Sequence, residues 1–280
     1  MTEVLSLNDI ELFIKFVLKE RGLDLTPYSK KFLGRRIFSR LLSLRLNSIR
    51  GYVDFLKKNP QEFTNFLNAL SINVSEFFRD PEVFDYFYKH CLSKLIEEKI
   101  KRKENWIHCW SCGCSYGEET YSLAILIREI LEKGNNLKVK IWGTDINKEA
   151  LRTAQEGEYK MKSLKKIDRR FLDKYFIYLP HKNMYRVKEE IKKIVIFKRH
   201  NLLLDKPFCS MDVIFFRNVK IYFDREKGDH FLSVICNSLK NGGYLVLGKV
   251  EMLPHSLSEL FEVVSIKYRI FRKFLGRRLE

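Results

Sequence analysis

The chain has 280 residues, 45% of them hydrophobic and 31% charged, which is enough apolar surface for one large core or two modest ones, so a folded rather than a disordered chain is expected. No stretch approaches the roughly 20 consecutive apolar residues of a membrane span, and the N-terminal MTEVLSLNDIELF lacks the basic-then-apolar order of a secretory signal, so a cytoplasmic protein without membrane insertion is expected. Lys and Arg outnumber Asp and Glu by 52 to 35, a formal +17 that predicts an acidic partner, and six cysteines without framework spacing fit a reducing compartment rather than a disulfide scaffold.

In chain order, residues 7–70 carry apolar positions three and four apart and read as four or five short helices. In one of them Leu33, Ile37, Leu41 and Leu44 share a face, flanked by Lys31 and Arg35 on one side and Arg36 and Arg40 on the other. The positive charge concentrates in this region, where 30–50 holds no acidic residue, and again at 151–200 and in the tail 267–278; a generic solvated surface accounts for part of it. Residues 70–81 break the helical rhythm, and Pro81 suits the first turn of a helix running to about 101. From 105 onward short apolar strands at 106–110, 139–143, 194–197, 211–216 and 244–247 alternate with helical stretches at 118–132, 148–156 and 225–239, the pattern of a mostly parallel sheet. The run YFIYLPHKNMYR (175–186) reads as an inserted hairpin turning at Pro180 and Asn183, and 261–271 as a strand or hairpin at the sheet edge. There are no internal repeats, and Leu279-Glu280 reads as a cloning remnant.

The first strand runs into Gly113, Ser115 and Gly117 and then a helix from Glu118, a tight loop whose bare backbone suits close approach of a ligand. Its GxxxG spacing is neither the GxGxxG of dinucleotide binders nor a P-loop with its lysine. Glu118 and Glu119 occupy the helix start where a phosphate would bind, so a cationic ligand such as a sulfonium fits better. Asp145 ends the second strand in GTDI, where a ribose offers its hydroxyls. The plain alternatives are that the two glutamates only favour the helix dipole and that Asp145 only caps the helix from Asn147. Cys109, Cys112 and Cys114 form CxxCxC, but no second Cys or His pair lies nearby to complete a zinc site, and no metal is expected.

Four runs, SINVSEFFRDPEVF (71–84), WSCGCSYGEETYSLAI (110–125), GTDINKEALRTAQEGEY (143–159) and FFRNVKIYFD (215–224), resemble the chemotaxis receptor methyltransferase (CheR) family in order and spacing, over nearly the whole chain. The resemblance implies an α/β fold: a Rossmann-like S-adenosylmethionine-dependent methyltransferase sheet with an N-terminal all-α domain and a small inserted antiparallel β-subdomain. On this chain that gives a helical substrate-recognition domain at 1–72, a linker at 73–90 and a catalytic domain at 91–280 with the insert at about 173–199. It implies S-adenosylmethionine as cofactor, with S-adenosylhomocysteine as product. It places Asn73, Ser75, Arg79, Glu119, Asp145, Asn201, Leu202, Arg217 and Asn218 around that cofactor, beside Gly113 of the glycine loop, and Arg79 and Tyr222 nearest the transferring methyl. The implied reaction is esterification of glutamate carboxylates on the cytoplasmic domain of a chemotaxis receptor, with the basic helix carrying Lys31, Arg35, Arg36 and Arg40 meeting the acidic methylation region. A monomer is expected, and no nucleic-acid partner.

Taken singly, Arg79 reads as an exposed helix-start arginine, Tyr222 as a core aromatic and Asn218 as a turn residue. The chain departs from the family at Ile72 and Ser75, where threonines are frequent, and at GKVE (248–251), where a Gly-His-Ser-Glu run is common; that last loop is not expected to line the site. The hairpin LPHKNM also lacks the glycine-bearing loop of members that anchor to a receptor's C-terminal peptide. The remaining alternatives are a nucleic-acid methyltransferase, suggested by the +17 charge, and a non-catalytic cofactor-sensing adaptor.

Overall fold

A computed structural model of the chain describes residues 5–70, 75–132, 134, 136–202 and 204–274. The chain divides into two units, 1–72 with 220–230, and 73–219 with 231–280. Residues 220–230, placed by sequence in the catalytic domain, thus cluster with the helices. Among the described residues no helix is long and apolar enough to cross a membrane.

The first unit holds α1 (Leu7–Arg21), α2 (Lys30–Leu44), α3 (Ile49–Lys58) and α4 (Pro60–Leu70). Serines at positions 6, 29 and 48 cap the first three, each accepting a backbone N–H of the first turn, and Asp9 completes a capping box with Ser6. Phe13, Val17, Phe32, Leu33, Ile37, Tyr52, Leu56 and Phe66 form the core. The buried Glu62 carboxylate on α4 accepts Arg40 Nε (2.7 Å) and Nη2 (2.6 Å) and the Tyr52 hydroxyl (2.9 Å). Residues 220–230 join through a bridge between Tyr28 and Phe223, with Ser29 N–H donating to the Tyr222 carbonyl at 3.0 Å.

The second unit begins with α5 (Pro81–Tyr86), a π-helical turn (Phe87–Leu92) and α6 (Ser93–Lys101), so the stretch expected as one helix carries a bulge at its middle. There follow β1 (Trp106–Cys112), α7 (Glu118–Leu131), β2 (Lys138–Asp145), α8 (Lys148–Glu156), β3 (Glu158–Tyr159), α9 (Met161–Leu164), α10 (Arg169–Tyr175), β4 (Phe176–Leu179), β5 (Met184–Val187), α11 (Glu189–Lys192), β6 (Val195–Arg199), β7 (Met211–Phe216), α12 (Arg225–Asn237, whose residues up to 230 count with the first unit), β8 (Leu239–Leu247), α13 (His255–Ser258), β9 (Phe261–Ser265) and β10 (Ile270–Lys273). The main sheet has the order β6-β2-β1-β7-β8-β10-β9, its first five strands parallel and the terminal hairpin antiparallel. Every residue of β7, MDVIFF, is buried, as a central parallel strand requires. Trp106, His108 and Trp110 alternate onto one face of β1, and Trp142 on β2 stands in register with Trp110, whose indole N–H donates to Thr144 Oγ1 at 2.9 Å.

The inserted sheet has three strands, β3-β5-β4, not a lone hairpin. It starts at Glu158, earlier than the expected 173, while β6 at 195–199 belongs to the main sheet. The turn between β4 and β5 is a 3-10 turn (Pro180–Lys182) closed by Asn183 at φ +50°.

Candidate functional site

The strand order reverses direction at β1, with β2 and β6 on one side and β7 and β8 on the other, and a doubly wound sheet binds ligands at the carboxyl ends beside such a switch point. The loops after β1, β2, β6 and β7 carry most of the sequence-derived candidates.

After β1, Gly113 has φ +66°, and a Cβ there would lie 2.6 Å from Val219 Cγ2. Val219 of the loop after β7 therefore already needs the bare Cα that was expected to serve a ligand's approach. Ser115, at φ +52°, donates its N–H to Asp145 Oδ2 at 2.8 Å, and Asn147 N–H donates to Oδ1 at 2.9 Å. The helix after β2 is capped by Asn147, whose Oδ1 accepts from Glu149 and Ala150, so Asp145 ties two loops together and is not the cap. Burial raises the Asp145 carboxyl, and the backbone N–H groups of Asn147, Ser115 and Ile146 oppose it. His200 N–H donates to the Asp145 carbonyl at 3.0 Å, which brings Asn201 and Leu202, both half-buried, to the same edge.

Arg217, directly after β7, is the hub. Its buried guanidinium gives Nη2 to Asp80 Oδ2 at 2.6 Å and Nη1 to the Arg79 carbonyl at 3.1 Å and to Glu119 Oε2 at 3.3 Å. Ser111, at the end of β1, donates its hydroxyl to Glu119 Oε1 at 2.9 Å. Burial raises the Glu119 carboxyl against the opposing charge of Arg217, and Arg79 is near enough to act in the same sense as Arg217. At Asp80 burial acts upward too, but Lys249, Arg217 and Arg79 outweigh it and hold the carboxyl below its ordinary range.

Glu118, the first residue of α7, is buried, and burial pushes its carboxyl up to about 7. The Ser75 side chain hydrogen-bonds to this carboxyl, while Oε2 has no hydrogen-bond partner among the described residues. A buried carboxyl oxygen without a partner, one residue from Glu119, suits a ligand bearing positive charge and donors.

Asn218 stands at φ +59° with its N–H on Glu251 Oε2 at 2.9 Å. Asn73 lies outside the described residues, as do Leu279 and Glu280. Tyr222 belongs to the helical unit, where its ring packs on Phe32 with centroids 5.0 Å apart. Arg36 of α2 lies over the same Phe32 ring at 5.3 Å; its Nε is buried with no partner among the described residues, and burial lowers the guanidinium's pKa against the influence of Tyr222. Lys31 and Arg35 are exposed, whereas Arg40 is engaged with Glu62 inside the helical unit. Cys109, Cys112 and Cys114 are buried and burial raises their thiols; among the described residues no His, Cys, Asp and Glu group could hold a metal ion.

Reading the sequence missed Asp80 and Glu251. Asp80 before Pro81 looks like a helix cap, yet it stands at φ +59° and makes no capping bond. Glu251 sits in the loop judged remote, and only the frequent glutamate at this place in the family hinted at a role.

Two family models match. The CheR methyltransferase all-alpha domain covers residues 8–71 and the CheR methyltransferase SAM binding domain covers 73–270. The chain is 33% identical over 251 residues to a chemotaxis protein methyltransferase of Borreliella burgdorferi, covering 88% of each. Chemotaxis protein methyltransferases of Listeria innocua (30% over 246 residues, 88% of this chain and 90% of the relative) and Salmonella typhimurium (30% over 270 residues, 92% and 89%) are similar to it as well. With both family models in sequence and acidic loops suited to a sulfonium at the strand ends, the chain belongs to the CheR methyltransferases and takes S-adenosylmethionine as its methyl donor.

Proposed function

We propose that the protein methylates glutamate side chains on the cytoplasmic domain of a methyl-accepting chemotaxis receptor, forming glutamyl methyl esters for sensory adaptation. The observation that most supports this reading is the convergence on Arg217 of the linker at Arg79 and Asp80 with Glu119 of α7. Asn73, Ser75, Arg79, Gly113, Glu119, Asp145, Asn201, Leu202, Arg217 and Asn218 then hold the donor. When bound, S-adenosylmethionine supplies an electrophilic methyl whose C–S bond breaks, sulfur keeping the electron pair, as the ester C–O bond forms.

The protein's own task is alignment and exclusion of water. A glutamate carboxylate, with a pKa of about 4.3 in isolation, is already anionic near neutral pH and needs no general base. Holding it in line accounts for up to roughly 7 to 11 kcal/mol of barrier reduction in comparable intramolecular systems. In this reading Arg79 orients the carboxylate and Tyr222 contributes a hydrogen bond or packing, without proton transfer. Lys31, Arg35 and Arg36 face the acidic receptor region. Arg40, held by Glu62, contributes to the helical unit's stability instead.

The compact turn between β4 and β5, with Tyr178 hydroxyl donating to Asn183 Oδ1 at 3.1 Å, supports action without a receptor C-terminal tethering peptide. Titration of that isolated peptide should show no micromolar binding at this hairpin; such binding overturns the tether-free reading. For the reaction itself, the protein is incubated with methyl-labelled S-adenosylmethionine and receptor cytoplasmic domain, then treated with alkali. Volatile labelled methanol is expected. Alkali-stable label, label in nucleic acid only, or no transfer despite cofactor binding rejects the proposal.

A further inference from the structure

From the loop after β8 we infer that Glu251 is a positioning residue for the cofactor site, acting through the backbone of Asn218. The inference rests on the proposed reading that Asn218 lines the pocket. Glu251 is buried, at 3% exposure, and its carboxylate accepts three backbone N–H groups: Asn218 at 2.9 Å and Gly248 at 2.7 Å on Oε2, and Val219 at 2.9 Å on Oε1. Such charge-assisted bonds are about twice as strong as neutral ones and fix geometry as well as energy.

Asn218 occupies the left-handed region, which asparagine tolerates better than most residues with a side chain. The peptide groups of Asn218 and Val219, turned toward one carboxylate, select that conformation for this turn. The approach is close enough that a Cβ on Gly248 would lie 2.7 Å from Glu251 Oε2 and 3.0 Å from Asn218 N, so a side chain at 248 would press on this contact. Arg217 and Val219 bracket the same turn, one holding the linker and Glu119, the other pressed against Gly113. One carboxylate thereby sets the loop after β7 against the loop after β1.

A second contact from the same loop points the same way. Lys249 Nζ reaches Asp80 Oδ1 at 2.8 Å and Glu82 Oε1 at 2.6 Å, so residues 248–251 grip both the turn after β7 and the linker. Lys249 is half-exposed, which leaves its pairs weak and the buried Glu251 as the principal grip.

The test is Glu251→Gln, which keeps the shape but turns an amide NH2 toward backbone donors. Affinity for S-adenosylhomocysteine, measured by calorimetry, should weaken about tenfold, the cost expected for a buried donor left unpaired, while the KM for receptor stays within about twofold. Asn218→Gly removes the side chain and keeps the left-handed backbone, and it should weaken the cofactor too. If Glu251 acts through Asn218, the double variant is no weaker than the worse single one. Glu251→Gln that lowers the melting temperature yet leaves cofactor affinity unchanged overturns the inference, as do fully additive losses. Asn218→Gly with parental affinity, beside a weakened Glu251→Gln, instead rejects the reading of Asn218 as a pocket residue.

Discussion

Glu118 couples the pocket to pH. Its carboxyl is raised from the ordinary 4.5 to about 7 by burial, so between those values the folded chain keeps a proton that the unfolded chain has released. Fewer protons bound when unfolded means that stability falls as pH rises through this window. At about 1.36 kcal/mol per unit, the contribution is on the order of 3 kcal/mol at most. Denaturant titrations of the cofactor-free protein at about pH 5 and pH 7.5 should show Glu118→Gln gaining on the parent at the higher pH; equal slopes for the two proteins would refute it. Sequence alone located Glu118, because an acidic residue at a helix start is visible as a pattern. Its burial is not, since it exists only once the chain is folded, where Ser75 of the linker hydrogen-bonds the carboxyl.

At the level of elements, the loop after β1 and the loop after β7 are one packed object. Gly113→Ala places a methyl against Val219 and forces alanine to φ +66°, and should cost about 1–3 kcal/mol in thermal unfolding. Pairing it with Val219→Ala should recover the steric part and leave the backbone strain; no recovery would mean that Val219 is not the obstacle. This contact explains what was legible and what was not. The strands were readable from apolar runs such as MDVIFF and the span of α8 from its helical pattern at 148–156, because those signals are local, whereas its cap, Asn147, emerged only in the structure. The inserted sheet was half read: its hairpin turn carries Pro180 and Asn183, but β3 is two residues long and has no period to detect. Residue pairs such as Gly113 with Val219, or Glu251 with Asn218, join loops more than thirty residues apart and exist only once the sheet order is known.

On the scale of the whole molecule, the formal +17 predicts that encounter with the proposed receptor substrate is steered by charge while cofactor binding is not. Raising ionic strength, or the double change Lys31→Glu with Arg35→Glu, should raise the KM for receptor severalfold at constant affinity for S-adenosylhomocysteine; a matching loss of cofactor affinity would place those residues elsewhere. The second unit can be followed by itself for an unplanned reason. All three tryptophans, Trp106, Trp110 and Trp142, stand on one face of β1 and β2, and the helical unit has none. Indole emission is therefore a native optical label for the sheet alone, and ellipticity that fades on heating before that emission shifts would show helix melting while the sheet is still intact.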